Sequence, residues 1–259
     1  MPIALLTDFG TRDYYVGAMK GVILGINPKA RMVDITHEIG PQDIREGGFV
    51  LASCYRDFPE GTVFLCVVDP GVGSDRRAIV AEIDDRIFVG PDNGLLSLLG
   101  VVPSSVHQLT DARFQLSIVS STFHGRDIFA PAAAYLSLGT PPSAFGPAVS
   151  DLVTLAVIEP VIAGRSVSGS VIHIDRFGNV VTNLPAHDTG KLVDIEIGGQ
   201  TISEVFASYS HAPDDRVFAI VGSSSFVEVS INGGSAAQRL NVAVGDPITA
   251  NLAAQPGGK

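Results

Sequence analysis

The stretch GTVFLCVVDPGVGSDRRA, residues Gly61 to Ala78, joins an apolar run to a polar turn. A continuous apolar run is typical of a strand that is covered on both faces of a parallel sheet. The run stops at Asp69, the chain turns through two glycines, and Arg76 follows the acid by seven residues. Because parallel sheets bind ligands just beyond the carboxyl ends of their strands, this stretch predicts a layered α/β fold with a site at its edge.

The segments around this stretch alternate between strand-like and helix-like patterns over about the first 140 residues. Further strands are predicted where apolar residues run together, at 3–7 and 31–39. Helices are predicted where apolar residues recur at helical spacing, over 13–27, 43–58 and 126–139. Residues 77–94 read as a β-hairpin with its turn at Asp84 and Asp85. This alternation predicts a mostly parallel sheet with helices on both faces.

The pattern changes in the second half, where strand-like segments follow one another with few helical periods. Such a run of short strands with turn residues between them is typical of a small barrel or sandwich. The sequence therefore predicts two domains. Residues 1–150 form an α/β domain, and residues 165–259 form a smaller all-β domain.

Composition narrows the class of protein. Hydrophobic residues make up 46% of the 259 residues, which is enough for a sizeable core. The net charge of −10 repels nucleic acid and anionic membranes, so neither is expected as a partner. The two cysteines have no metal-ligand spacing, and no apolar run reaches the length of a membrane span. We expect a cytoplasmic protein without a metal ion.

Three acids follow strand-like runs: Asp8, Asp69 and Asp175. No phosphate-binding loop of the GxxxxGK[ST] type, no GxSxG nucleophile motif and no HExxH zinc motif occurs in the chain. A carboxylate at a loop can accept both hydroxyls of a ribose, and it can also bind an ammonium group. These acids suit a nucleoside that carries an amino acid better than they suit a nucleotide.

His124 differs from the other five histidines in its surroundings. It stands before an apolar helix, with Gly125 beside it and Arg126 and Asp127 opening the helix. A histidine in such a position can exchange protons near neutral pH. It is therefore a candidate catalytic residue.

Five strings together resemble the S-adenosylmethionine hydroxide adenosyltransferases, which are related to fluorinating and chlorinating enzymes that use the same substrate. They run through both halves of the chain in order. They are TDFG at 7–10, VVDPGVGSDRR at 67–77, GPDNG at 90–94, TFHGRDIFAP at 122–131 and DRFGNVVTN at 175–183.

The resemblance implies attack of water or hydroxide on the ribose 5′ carbon of S-adenosylmethionine, which yields adenosine and methionine without a cofactor. It also implies a homotrimer in which the substrate lies between the N-terminal domain of one subunit and the C-terminal domain of its neighbour. Eight positions match functional residues of the family: Asp69, Arg76 and His124 around the attacking water, Asp8 at the ribose, Asp13 and Asp175 at the methionine end, Asn179 at the adenine, and Ser223, with Ser224 as its alternative, at the methionine part.

The resemblance leaves several questions open. His124 is the candidate acceptor of the proton from water, with Asp69 orienting Arg76, and Asp69 as the base is the alternative because the three groups titrate together. A halide adenosyltransferase is disfavoured because Gly125 stands where the fluorinating relative has a serine, and that relative has tyrosines at the positions of Asp69 and His124. Gln42 stands where the fluorinating relative has a tryptophan, and its role is left open. A non-catalytic protein that binds S-adenosylmethionine or adenosine is a further alternative, and a metal hydrolase built on Asp8, Asp69 and His124 is a minor one.

Overall fold

The computed structural model describes residues 1–185 and 192–253, and the chain divides into two compact units, Met1–Leu155 and Ala156–Lys259. The first unit contains a six-stranded sheet in the order β2-β1-β3-β5-β4-β6 together with three α-helices. Its elements are β1 (Ile3–Thr7), α1 (Tyr15–Ile26), β2 (Met32–Thr36), α2 (Ile44–Cys54), β3 (Val63–Val67), β4 (Ala78–Ile83), β5 (Arg86–Pro91), β6 (Ser105–Gln108) and α3 (Ala130–Ser137).

Four neighbouring strands of this sheet, β2, β1, β3 and β5, run parallel. Strand β4 pairs antiparallel with β5 and with β6. Asp84 and Asp85 join β4 to β5 with φ angles of 49° and 58°. Such a pair of left-handed residues favours a two-residue hairpin turn whose twist suits the strands. The predicted hairpin and the mostly parallel sheet are therefore both present.

Both faces of the sheet are covered, as the unbroken apolar run of β1 predicts. Ile3 and Leu5 point to one face and pack in the same core as residues of α1 and α3. Ala4 and Leu6 point to the other face and share a core with Leu51 of α2. Successive side chains of the strand thus point to opposite faces of the sheet, and each face is covered by helices.

The second unit is rich in strands. They form one nine-stranded network in the order β11-β10-β15-β8-β9-β14-β13-β12, with β7 paired to β8. Its described elements are β7 (Val161–Ala163), β8 (Ser166–Ile174), β9 (Val180–Pro185), β10 (Leu192–Ile197), β11 (Gln200–Ile202), β12 (Val205–Phe206), β13 (Val217–Val221), β14 (Phe226–Ile231), α4 (Ala236–Leu240) and β15 (Pro247–Leu252). The two-domain architecture is confirmed, and the barrel or sandwich form stays a prediction.

The helix predicted over 126–139 differs in one respect from the observed one. It starts with a π-helical turn over Gly125–Phe129, and α3 continues it. π-helical turns often occur at functional sites, and this one directly follows His124. In the part of the chain that the structure describes, no helix is long and apolar enough to cross a membrane.

Candidate active site

Asp69 and Arg76 form a close ion pair just after β3. Arg76 Nε donates a hydrogen bond to Asp69 Oδ1 at 2.9 Å, and Arg76 Nη2 donates one to Asp69 Oδ2 at 2.6 Å. The side chain of Asp69 is only 5% exposed, and that of Arg76 is 11% exposed. Parallel bonds between a guanidinium and a carboxylate fix the orientation of both groups. The two residues that the family resemblance places in one site therefore form an ion pair that is largely shielded from solvent.

Glycines let the turn between these residues approach a second segment of the chain. Gly73 has a φ of 79°, and a Cβ atom there would overlap the carbonyl oxygen of Ser121. Only glycine adopts this conformation easily and also leaves room for the approach. Ser74 closes the turn by donating its hydroxyl hydrogen to the Gly71 carbonyl at 2.6 Å. The turn therefore packs beside the segment that carries His124.

His124 completes the cluster through its contact with Arg76. The Nδ1 atom of His124 lies 2.7 Å from Arg76 Nη2. A guanidinium can only donate hydrogen bonds, so Nδ1 must accept and the neutral ring carries its hydrogen on Nε2. Partial burial lowers the pKa of His124, and the positive charge of Arg76 lowers it further. The ring is therefore neutral near pH 7 and presents an N–H group on its free side.

Asp127 holds the segment that carries His124, a role that was not predicted from the sequence. Its side chain is fully buried. Asp127 Oδ2 accepts the backbone N–H of Ser120 at 2.8 Å, and Oδ1 accepts from Arg126 Nε at 2.6 Å. An acid inside an apolar helical pattern was the available signal, because a buried carboxylate needs such partners.

Arg76 retains hydrogen-bonding capacity after these contacts. Its bonds to Asp69 and His124 use the Nε hydrogen and both hydrogens of Nη2. A guanidinium has five donor hydrogens, so the two on Nη1 remain for another oxygen atom. The guanidinium carbon also lies 5.2 Å from the centre of the Phe129 ring, which packs against it. The cluster thus presents a fixed positive donor beside an acid and a neutral imidazole.

Asp8 lies at the end of β1 and is half-buried. Its Oδ2 atom accepts the backbone N–H of Gln42 at 2.8 Å. Burial raises the pKa of Asp8, and the nearby negative charge of Asp69 contributes to the rise. The two strand-end acids are therefore electrostatic neighbours. Gln42 has an exposed side chain and a φ of 67°, so its backbone rather than its side chain makes this contact.

A buried histidine supports the strand end that precedes Asp8. His37 is 4% exposed, and its Nδ1 atom lies 2.9 Å from the hydroxyl oxygen of Thr7. Its other ring nitrogen, Nε2, lies 3.1 Å from Asp34 Oδ1. This chain of contacts fixes the backbone from which Asp8 projects.

By contrast, Asp13 is exposed in the turn before α1, and within the described residues no hydrogen bond or ion pair joins it to the cluster.

The other predicted residues lie in the second unit, around an open cleft of about 750 Å³. Asp175, Asn179 and Ser223 line this cleft. Asp175 Oδ1 accepts the backbone N–H groups of Phe177 and Asn179, each at 2.9 Å, and Oδ2 accepts from Asn179 Nδ2 at 2.8 Å. The Ser224 hydroxyl is instead buried. Of the two serines, Ser223 is therefore the one that can reach a ligand in the cleft.

Two further cleft residues were not found from the sequence. Glu228 in β14 is 9% exposed, and Tyr209 donates its hydroxyl hydrogen to Glu228 Oε2 at 3.4 Å. Burial raises the pKa of Glu228, and the negative charge of Asp175 adds to the effect. A glutamate in the apolar run FVEVSI was the signal for it, since an acid in a buried strand needs a reason to be there.

No group of three or more His, Cys, Asp or Glu side chains in residues 1–185 and 192–253 is arranged to hold a metal ion. The minor metal-hydrolase alternative built on Asp8, Asp69 and His124 therefore gains no support.

Comparisons with family models match both halves of the chain. Residues 3–146 match the model of the SAM hydroxide adenosyltransferase N-terminal domain. Residues 169–249 match the model of the C-terminal domain of the same family. Here SAM stands for S-adenosyl-L-methionine. The two matched ranges contain the acid–guanidinium–imidazole cluster and the cleft, respectively.

Individual proteins give a consistent result. The (R)-S-adenosyl-L-methionine hydrolase of Thermus thermophilus is 39% identical over 95% of this chain and 98% of its own length. A fluorinase from an Actinoplanes species is 30% identical over 73% of each chain. Among solved structures, an uncharacterized conserved protein from Thermotoga maritima superimposes with a TM-score of 0.91 at 36% identity, covering 96% of this chain and 99% of that one.

Proposed function

Because the chain belongs to the SAM hydroxide adenosyltransferase family, we propose that it is an enzyme that hydrolyses SAM to adenosine and L-methionine. The observation that carries this proposal is the cluster of Asp69, Arg76 and His124, which join in one hydrogen-bonded chain. These residues come from two separate stretches of sequence. Their meeting at the end of β3 supplies the polar site that activation of a water molecule requires.

The reaction makes one bond and breaks one. The oxygen of water attacks the ribose 5′ carbon, and the carbon–sulfur bond breaks with its electron pair moving to sulfur. Sulfur leaves as the neutral thioether of methionine, so no acid is needed to help it depart. The attacking water loses one proton. The enzyme therefore has to place the water in line with the carbon–sulfur bond. It also has to accept the proton and stabilise the hydroxide that develops as the proton leaves.

Arg76 stabilises the attacking oxygen in this proposal. Its free Nη1 hydrogens can bond to water and bond more strongly to developing hydroxide, because charge-assisted hydrogen bonds strengthen as the acceptor becomes negative. Arg76 cannot be the base, since a guanidinium stays protonated in proteins. Asp69 sets its direction through the ion pair.

We assign the proton to Asp69 rather than to His124. The Nδ1 lone pair of His124 is occupied by Arg76, and its Nε2 atom already carries a hydrogen. Asp69 keeps lone pairs on both oxygens beyond its bonds to Arg76. His124 then acts by holding Arg76 and by donating a hydrogen bond to the water. Asp8 receives the ribose hydroxyls. Contacts of Asp13, Asp175, Asn179 and Ser223 with SAM remain part of the proposal and follow the family pattern.

The halide adenosyltransferase alternative has less support. A Cβ atom added at Gly125 would lie 3.3 Å from Met19 Sδ, 3.3 Å from Phe9 Cε2 and 3.4 Å from Phe123 Cε2. A serine there would therefore require these side chains to shift by a few tenths of an ångström. The non-catalytic alternative is tested by measuring whether the protein forms any product from SAM. Cofactor-free catalysis, a cytoplasmic location and a homotrimer with active sites between subunits belong to the proposal and rest on the family resemblance and the composition.

The test is to incubate the purified protein with SAM, chloride and a metal chelator, and to separate the products by chromatography. We expect adenosine and methionine in equal amounts, with no 5′-chloro-5′-deoxyadenosine. Formation of the chlorinated nucleoside would favour the halide alternative. Absence of any product would favour a binding protein, and activity that the chelator abolishes would favour a metal hydrolase.

A further inference from the structure

The cleft in the second unit is lined by acids, and none of its described lining residues is a lysine or arginine. The acids are Asp175 and Glu228. Glu228 is more than nine-tenths buried. A buried carboxylate normally has a cation or several hydrogen-bond donors beside it. Among the described residues, Glu228 has no cation in its cleft and one long hydrogen bond, so its charge is suited to a positively charged ligand.

The two acids differ in how far the protein already satisfies them. The Asp175 carboxylate accepts three hydrogen bonds of 2.9 Å or shorter from its own loop. Glu228 accepts one long bond of 3.4 Å from the Tyr209 hydroxyl, which is its only hydrogen bond in the part of the chain that the structure describes. An ammonium group needs acceptors with free lone pairs. Glu228 has more of them to offer.

The position of Glu228 is fixed by the strands around it. It lies in β14, where it pairs with Ile220 of β13 and with Val181 of β9. Gly222 leaves the space that the carboxylate fills, since a Cβ atom there would overlap Glu228 Oε1. A central strand gives a binding group less freedom than a loop does. The carboxylate is thus held at the cleft before any ligand arrives.

We propose that Glu228 is a further substrate-binding residue, whose carboxylate accepts hydrogen bonds from the α-ammonium group of SAM. This inference rests on the proposed function. The adenine amine is neutral and would leave the two acids uncompensated. The sulfonium is cationic, but it has no N–H hydrogen to donate. Of the positive groups on SAM, only the ammonium meets both needs of Glu228, a charge and donors.

Two ligands separate these possibilities by calorimetric titration. S-adenosylhomocysteine has the ammonium group but no sulfonium, and 5′-methylthioadenosine lacks the amino acid end. We expect Glu228→Gln to weaken binding of S-adenosylhomocysteine about 10- to 100-fold, which is the worth of a charged hydrogen bond, and to leave 5′-methylthioadenosine binding within about twofold. The matched control is Glu196→Gln, an exposed glutamate of β10 in the same unit.

Other outcomes overturn the inference. Equal weakening of both ligands would place Glu228 at the nucleoside or make its role structural, and a thermal melt of the variant would show whether the fold had changed. Unchanged S-adenosylhomocysteine binding in the variant, or a wild type that binds neither ligand, would also contradict it. The proposed function is judged separately, because it fails when the wild-type protein forms no adenosine from SAM.

Discussion

The two acidic sites of this protein differ in what accompanies the acid. In the first unit, Asp69 is paired with Arg76, and Arg76 is also held by His124. In the second unit, the Glu228 carboxylate has one long bond to Tyr209 and no cation among the described residues that line its cleft. In our proposal the acid of the first site is already paired with a cation and the cluster orients water. The acid of the second site is paired only when a cationic ligand binds, so that site is suited to binding rather than to chemistry.

The largest expected effect comes from breaking the first site. Arg76→Ala removes the donors that stabilise developing hydroxide, and it leaves Asp69 buried without its partner. We expect kcat to fall by about 100- to 1,000-fold, as when a preorganised donor is removed from an active site. Adenosine formation from SAM measures it. Arg113→Ala is the matched control, because that side chain is 76% exposed, and its rate should stay near that of the wild type.

Acidification should switch the same site off. Burial and the charge of Arg76 lower the pKa of His124 below its usual 6.5, against the opposing charges of Asp69 and Asp127. Neutral His124 accepts from Arg76, and the protonated ring cannot. We expect kcat to stay level from neutral pH down to about 6.5 and then to fall about tenfold per pH unit below the lowered pKa.

His124→Asn provides the comparison for this pH profile. The asparagine oxygen can replace Nδ1 as the acceptor for Arg76, but it does not titrate. The variant should keep part of its activity and lose the His124 contribution to the acid limb. An acid limb of the wild type centred above pH 6.5, or one unchanged in the variant, would contradict the assigned role.

A smaller effect is expected at the ribose. Asp8→Asn replaces a half-buried carboxylate, which burial and Asp69 already make harder to ionise, with a neutral amide. We expect KM for SAM to rise about tenfold with little change in kcat, which is the cost of losing a charged hydrogen bond. Steady-state kinetics separates the two constants. Asp85→Asn, at the exposed β4–β5 turn, should leave both unchanged.

The smallest expected effect is on thermal stability, and it compares the acid that has a cationic partner with the acid that lacks one. Without ligand, Asp69→Asn should lower Tm because Arg76 loses its ionic partner. Glu228→Gln should raise Tm because it removes a buried carboxylate that lacks a cation, and whose raised pKa shows that ionisation is disfavoured there. About 1 kcal/mol in either direction corresponds to roughly 2–4 °C. Thermal melts at neutral pH that move both variants in the same direction would undo the comparison.

Much of the fold could be predicted from the sequence. The apolar run of β3 and the paired aspartates at 84 and 85 identify a covered strand and a hairpin through local patterns alone. The π-helical turn at Gly125–Phe129 could not be predicted in this way. A buried ion network around Asp127 fixes its geometry, and helical periodicity does not distinguish a π-helical from an α-helical turn.

Site residues likewise differ in whether a local sequence pattern indicates them. Asp8 and Asp69 come just after strands, and Arg76 lies in the loop between β3 and β4, so the strand pattern indicates where they are. His124 is brought to Arg76 by the close packing of Gly73 on Ser121, which no local pattern contains. Glu228 was missed because a single acid in an apolar strand shows neither its burial nor its lack of a partner until the neighbouring strands are in place.

The most direct test of the central claim is to follow the oxygen atom. Wild-type protein and Arg76→Ala are each incubated with SAM in ¹⁸O-labelled water, and the adenosine is analysed by mass spectrometry. The account predicts one ¹⁸O atom in the 5′-hydroxyl of nearly all adenosine made by the wild type, and little adenosine from the variant. Unlabelled adenosine, or labelled adenosine formed equally fast by Arg76→Ala, would contradict it.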